Sequence, residues 1–93
     1  MIGKKNDNGK LRYDLLPVEI IEKVVEVLTL GAVEYGDNNW KAVSNAKERY
    51  YAAAMRHIVE WRKGNKLDEK YSTEHLAHAV CNLIFLMYFD NED

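Results

Sequence analysis

The stretch STEHLAHAVCNLIFLMYF, from Ser72 to Phe89, decides the fold because its apolar residues recur at helical spacing. Ser72 is a favourable N-cap, and Glu74 places a negative charge in the first turn, where it suits the helix dipole. We therefore expect one helix over Ser72–Phe89. The apolar residues at this spacing are Leu76, Ala79, Val80, Leu83, Ile84 and Met87.

Three polar residues interrupt this apolar helix: His75, His78 and Asn82. Their spacing of i, i+3 and i+7 places them on one face. The third histidine of the chain, His57, stands beside Arg56 in a second helical segment. A polar stripe on a largely apolar helix needs partners, which either another part of the chain or a ligand supplies.

Length and composition bound the class of protein. We expect the 93 residues to form one domain, 1–93, with residues 1–8 as a solvated tail. The net charge of −2 argues against a nucleic-acid polymer as partner. The single Cys81 lies in an apolar helix and is expected to be a small buried hydrophobe. No apolar run reaches the ~20 residues of a membrane span, so a cytoplasmic protein without a membrane partner is expected.

Two further helices are expected, which makes the fold all-α with an extended N-terminal arm. The first runs from about Pro17 to Tyr35, and the second from Ser44 or Asn45 to about Lys63. Three short helices with this much apolar surface leave a patch uncovered. We therefore expect oligomerisation, as a homodimer or homotetramer, to complete the helical bundle.

The segment between the first two helices carries groups suited to a flat, hydrogen-bonding base. Tyr35 and Trp40 flank a turn that holds Asn39, so that an aromatic face lies next to an amide edge. A packed loop anchored by Trp40 is the alternative interpretation. Both interpretations stay open at this point.

Charged residues indicate an anionic ligand. Lys10 and Arg12 stand beside Asp14 in the segment GKLRYDLLP, and Arg56 adds a third cation. Glu34 ends the apolar stripe of the first helix, Glu60 shares a helical face with His57, and Asp68 lies in the last connector. These three carboxylates are candidate ligands for Mg²⁺, which prefers carboxylate and phosphate oxygens, with Mn²⁺ as an alternative ion. Two other hypotheses stay open: a zinc site built on the histidines, and a structural or partner-binding helical module.

Four ordered motifs carry a family resemblance: GKLRYDLLP, GAVEYGDNNW, RHIVEWRKG and HLAHAVCN. In this order they resemble the phage and bacterial dATP/dGTP diphosphohydrolase family, which is MazG-like and belongs to the all-α NTP pyrophosphohydrolases. The resemblance implies Mg²⁺-dependent cleavage of a purine deoxynucleoside triphosphate to the monophosphate and pyrophosphate, by a helical protein that oligomerises.

The matched positions imply roles for residues of this chain. Cations would bind phosphates, and the second motif would hold the base or sugar. The histidines and Glu60 would form the catalytic group, in which an imidazole positions phosphate or water or acts as general base. The implied substrate-binding residues are Lys10, Arg12, Asp14, Tyr35, Asn39, Trp40, Arg56 and Asn82, and the catalytic ones are His57, Glu60, His75 and His78.

Two features of the chain depart from the family pattern. The wider MazG-like group holds Mg²⁺ with helical ExxE and ExxD pairs, where this chain reads His57–Glu60 and His75–His78, and Glu34 stands where a lysine is expected. Imidazole is a poor ligand for Mg²⁺. The alternative function is therefore a non-catalytic protein that sequesters a nucleotide signal, such as a phage anti-defence sponge.

Overall fold

A computed structural model describes residues 2–92, and Met1 and Asp93 lie outside the described part. The chain forms three helices, α1 (Val18–Tyr35), α2 (Ala46–Arg62) and α3 (His75–Asp90), with short 3-10 turns at Tyr13–Leu15 and Asn39–Ala42. No β-strand lies within residues 2–92, apart from one isolated bridge between Leu67 and Glu74. The all-α fold is thereby confirmed, and the N-terminal arm that precedes α1 contains no α-helix within residues 2–16. The predicted single domain 1–93 includes two terminal residues outside the described part.

Local backbone chemistry ends the first two helices where the sequence predicts. Pro17 caps α1, and Gly36 ends it with a φ of +98°, a conformation that glycine adopts without steric cost. Asn45 precedes α2 with a φ of +53°. Gly64, with a φ of +100°, follows the end of α2. The start and the end of both helices lie within two residues of the predicted positions.

The predicted start of the third helix at Ser72 is wrong, because α3 begins at His75. Ser72 has a φ of +57°, which is outside the helical region. The backbone here closes a turn instead: the Asp68 amide donates to the Thr73 carbonyl at 2.8 Å, and the His75 amide donates to the Lys66 carbonyl at 2.9 Å. These bonds extend the connector by three residues at the expense of the helix.

Helix α3 is the central element, since it packs against both α2 and α1 while α1 and α2 barely touch each other. The core includes Val24 and Val27 of α1 with Ala77 and Cys81 of α3. Burial raises the pKa of the Cys81 thiol to about 11, and its Sγ donates to the Val24 carbonyl at 3.5 Å. Cys81 is thus the buried hydrophobe that the sequence predicts. The separation of α1 from α2 leaves a groove whose floor is α3.

The single chain leaves much apolar surface in water. Its radius of gyration is 16.8 Å, against about 12 Å for a compact domain of this length. Leu11 and Tyr13 of the arm and Val33 of α1 are each more than three-quarters exposed. No large side chain among residues 2–92 is fully buried. In residues 2–92, no helix combines the length and the apolarity needed to span a membrane.

Candidate functional site

The groove between α1 and α2 has a volume of about 1070 Å³. Its size matches that of small-molecule sites, which run to about 1,000 Å³. All three helices and the connector before α3 contribute to its walls. Seven of the residues singled out from the sequence line it: Tyr35, Asn39, Trp40, Arg56, His57, His78 and Asn82.

The three histidines come together where α2 meets the start of α3. His57 Nδ1 and His75 Nδ1 are 2.9 Å apart, so one ring must donate its proton to the other. The ring of His57 stacks on that of His78, with centroids 4.6 Å apart and planes 12° apart. His57 and His78 line the groove, whereas His75 is buried beside it. The structure thus brings the three histidines together, whereas Glu60, the fourth residue predicted for the catalytic group, does not line the groove.

Asp68 fixes His78 and the turn that precedes α3. Its Oδ1 accepts the Thr73 amide at 2.9 Å and the Thr73 hydroxyl at 3.0 Å, and its Oδ2 accepts the amides of Lys70 and Tyr71 at 3.2 Å. His78 Nε2 lies 2.6 Å from the Thr73 hydroxyl and 3.3 Å from Asp68 Oδ1. Desolvation acts to raise the pKa of Asp68, but the hydrogen bonds from Thr73 and the proximity of His78 outweigh it and lower the pKa.

The cluster favours neutral imidazoles. Burial, followed by the charges that His78 and His75 would carry if protonated, lowers the pKa of His57 to about 4. Burial is also the largest influence on His78 and lowers its pKa, against the raising effect of Asp68. Both rings are therefore neutral at pH 7. A neutral imidazole can accept a proton from water.

The stacked arrangement does not suit the zinc hypothesis. An imidazole nitrogen binds a metal along the plane of its ring at about 2.1 Å. Because the rings of His57 and His78 are nearly parallel, their in-plane lone pairs do not converge on one point. Among residues 2–92, no three His, Cys, Asp or Glu side chains are placed to hold a metal ion.

The three carboxylates predicted as Mg²⁺ ligands lie in separate places. Glu34 pairs with Lys70, Glu60 accepts the Asn65 side-chain amide at 2.7 Å, and Asp68 is occupied by the bonds described above. None of the three lines the groove. The carboxylates that do line it are Asp37 and Glu48, which the sequence reasoning did not single out for metal binding.

The cations of the N-terminal motif are not at the groove in this chain. Arg12 donates to both carboxylate oxygens of Asp14, at 3.2 and 2.7 Å, in an exposed ion pair, and Lys10 is exposed. Arg56 lines the groove as predicted, and Arg49 and Lys70 join it. Arg49 precedes Arg56 by seven residues and so shares its helical face, a signal that the sequence did offer. Lys70 lies in an irregular connector and has no such signal.

Trp40 anchors a packed loop, which is one of the two interpretations that the sequence left open, and it also lines the groove. Its ring lines the groove, but it also stacks on Phe85 at 4.5 Å and meets the edge of Tyr88 at 4.9 Å. The Tyr50 hydroxyl donates to the Trp40 carbonyl at 2.9 Å. Trp40 therefore anchors its loop onto α3 while it closes one end of the groove. Asn82 donates to the His78 carbonyl at 2.9 Å, which leaves its side-chain oxygen without a hydrogen bond within residues 2–92.

Comparison with known proteins agrees with the motif set. The profile of a family described as "dATP/dGTP diphosphohydrolase, N-terminal" matches residues 2–93. A relative from Salmonella phage PMBT28, named dATP/dGTP diphosphohydrolase, is 35% identical over 91 residues, which are 98% of this chain and 31% of the relative. The chain thus spans about a third of that relative's length. No solved structure matches. The chain belongs to the family of dATP/dGTP diphosphohydrolase N-terminal domains.

Proposed function

We propose that this chain binds a purine deoxynucleoside triphosphate, dATP or dGTP, in the groove and contributes to its cleavage to the monophosphate and pyrophosphate. The observation that carries the proposal is the groove itself, which joins cations, neutral imidazoles and aromatic side chains around one nucleotide-sized volume. The name of the phage relative supports the same reaction. The setting we propose is the cytoplasm of a phage-infected bacterial cell.

The phosphates are bound by the groove cations. Arg49 and Arg56 project from one face of α2, and Lys70 lies across the groove in the connector. A guanidinium can bind two phosphate oxygens at once, and charge-assisted hydrogen bonds of this kind are the stronger ones in proteins. Lys10 and Arg12 of the arm remain candidates for phosphate contacts in an assembled protein.

The histidines act on water and phosphate. His57 is neutral and has its Nδ1 engaged by His75, so Nε2 is the nitrogen left to accept a proton from an attacking water. His75 acts through His57 and is a positioning residue. Tyr35, Asn39 and the free side-chain oxygen of Asn82 are the groups that would contact the base or sugar.

Mg²⁺ dependence is part of the proposal, although the three carboxylates predicted for it do not converge. In nucleotide sites Mg²⁺ is held by one or two carboxylates together with substrate phosphates. The donor set of the groove fits this requirement, because Asp37 and Glu48 both line it. The ion would neutralise charge on the phosphates.

The test is calorimetric titration of the purified chain with dATP, dGTP and a cyclic dinucleotide, with and without Mg²⁺, followed by analysis of the products. Release of monophosphate and pyrophosphate in the presence of Mg²⁺ supports the hydrolase. A His78→Ala variant that folds should lose binding or turnover. Unchanged binding and turnover in that variant would show that the histidine stripe is structural and that the site is wrong.

A second candidate function is nucleotide binding without cleavage. It is favoured by the separation of Glu34, Glu60 and Asp68, which leaves no three-carboxylate metal cage within residues 2–92. Tight binding with intact nucleotide recovered after titration would identify this function. Lack of binding by any of the three ligands would favour a structural helical module instead.

We also propose that the chain self-associates, as a homodimer or homotetramer. Large apolar residues of the arm and of α1 are exposed, among them Leu11, Tyr13, Leu15 and Val33. Burial of such residues between copies of the chain would remove them from water. Light scattering coupled to size-exclusion chromatography tests this proposal. A molar mass that is a multiple of 10.8 kDa is expected. A monomer at all concentrations would contradict it.

A further inference from the structure

Lys70 ties the connector before α3 to the end of α1. Its Nζ lies 2.5 Å from Glu34 Oε1 and 3.2 Å from the Tyr35 hydroxyl. It also lies over two aromatic rings, 5.4 Å from the centroid of Tyr35 and 5.2 Å from that of Tyr71. The two contacting segments are 36 residues apart in the chain. The lysine is therefore held at one rim of the groove by several weak contacts at once.

The groove cations differ in what already neutralises them. Arg56 makes no hydrogen bond or ion pair through its side chain within residues 2–92, and Arg49 has one long contact of 3.5 Å to the Ser44 carbonyl. Lys70 is paired with a carboxylate, and the hydrogen bond between them raises the pKa of Lys70 and lowers that of Glu34. Glu34 itself does not line the groove, whereas Lys70 does.

We propose, building on the function proposed above, that Lys70 is a phosphate-binding residue and that Glu34 competes with the ligand for it. A bound polyphosphate draws the ammonium away from Glu34, and Glu34 takes it back when the ligand leaves. The long, flexible stem of lysine permits this exchange without movement of the backbone. Both side chains are partly exposed, so their ion pair is weak enough to be displaced.

A triphosphate presents more charge and more acceptor oxygens to Lys70 than a monophosphate does, and so displaces one carboxylate more readily. Glu34 would weaken the binding of every ligand that contacts Lys70, by up to the strength of the ion pair.

The experiment measures binding of dGTP and of inorganic tripolyphosphate by calorimetry to four forms of the chain: wild type, Glu34→Gln, Lys70→Met and the double variant. Removal of the competitor in Glu34→Gln should tighten binding about threefold, the size of an exposed ion pair. Lys70→Met should weaken it about tenfold, since a charge-assisted contact is lost. The double variant should match Lys70→Met, because Glu34 acts only through Lys70.

Two matched controls come from the same chain. Glu74, the residue that precedes α3, pairs with Lys23 of α1. Neither residue lines the groove, so Glu74→Gln should leave binding unchanged. Lys41 lies over the rings of Trp40 and Tyr88 as Lys70 does over its own pair, but outside the groove. Lys41→Met should therefore bind as the wild type does.

Each other outcome decides against a specific claim. If Glu34→Gln binds with the same or lower affinity, or if it tightens binding in the Lys70→Met background, the pair is a structural clasp and the inference is overturned. If Glu34→Gln fails to fold, the variant Glu34→Asp takes its place, because its shorter side chain moves the carboxylate away from Lys70. Glu34→Asp must then tighten binding for the inference to stand. Binding of tripolyphosphate without dGTP would refute the proposed function alone, and binding of neither would refute both.

Discussion

The two ends of the α2–α3 pair are held together by different physics. At one end Trp40, Tyr50, Phe85, Tyr88 and Phe89 form an aromatic end, in which rings pack at centroid distances of 4.5 to 6.3 Å. At the other lies the histidine end, formed by His57, His75, His78, Asp68 and Thr73, which is held by hydrogen bonds and stacked imidazoles.

The aromatic end and the histidine end respond differently to pH. Packed aromatic rings keep their contribution to the free energy of unfolding when the pH changes. Imidazoles that are neutral in the folded chain reduce that free energy when acid protonates them. The groove runs past both ends, so one end supplies a firm wall and the other supplies groups that can move protons. Variants and pH should therefore affect the two ends in different ways.

The largest expected effect is at the aromatic end. Trp40→Ala removes a half-buried ring and its contacts with Phe85 and Tyr88, and we expect a loss of about 3 kcal/mol in the free energy of unfolding. Urea denaturation followed by circular dichroism measures it. The other tryptophan, Trp61, is 45% exposed and provides the matched control, with an expected loss below about 1 kcal/mol for Trp61→Ala. Equal losses in Trp40→Ala and Trp61→Ala would contradict the stabilising role of the aromatic end.

Asp68→Ala is the corresponding test of the histidine end. It leaves three backbone amides and the Thr73 hydroxyl without their acceptor at a side chain that is only 10% exposed. We expect a loss of about 2.5 kcal/mol, because buried donors without partners are costly. Asp14→Ala, in the exposed arm, should leave the free energy of unfolding close to that of the wild type. A loss at Asp68 as small as that at Asp14 would contradict the network.

Acid should weaken the histidine end selectively. The pKa of His57 is lowered from 6.5 to about 4 in the folded chain, so the unfolded chain binds more protons in that range. The contribution of His57 to the free energy of unfolding is therefore fully present above pH 6.5. It falls by about 2 kcal/mol as the pH approaches 4. The lowered pKa of Asp68 adds a further loss below its usual range. Denaturation midpoints measured from pH 8 to pH 4 test this slope.

His57→Asn removes the titrating ring and keeps a polar group near the position of Nδ1. We expect this variant to flatten the pH dependence between 6.5 and 4. A slope as steep as that of the wild type would assign the effect to other groups.

The smallest effect on stability is expected for Tyr50→Phe at the aromatic end. Tyr50→Phe removes the hydroxyl that donates to the Trp40 carbonyl at 2.9 Å and keeps the ring contacts with Phe85. We expect a loss of about 1 kcal/mol, typical of one hydrogen bond, without any change in the pH slope. A changed slope would show that the two ends are coupled.

Much of the fold could be predicted from the sequence because apolar periodicity and helix breakers act locally. The bounds of α1 and α2 followed from Pro17, Gly36 and Gly64. The start of α3 did not, since the local preference of Ser72 to cap a helix was overridden by the bonds of Asp68 to the turn.

The candidate site was predictable where its residues share a helical face. His57, His78 and Asn82 were found in this way, and Arg49 could have been. Lys70 could not, because its partner Glu34 is distant in sequence and the connector between them has no periodic pattern. The arm cations Lys10 and Arg12 were predicted beside the site from motif order, but their position within one chain depends on tertiary packing that the motif does not encode.

The most direct test of the nucleotide site uses proton and nitrogen NMR during a titration of the chain with dGTP. We expect saturable shifts of the ring signals of His57 and His78 and of the Trp40 indole N–H, because all three residues line the groove. The Trp61 indole N–H, which lies outside the groove, should stay in place. Shifts at Trp61 with unmoved signals from His57, His78 and Trp40 would contradict the account.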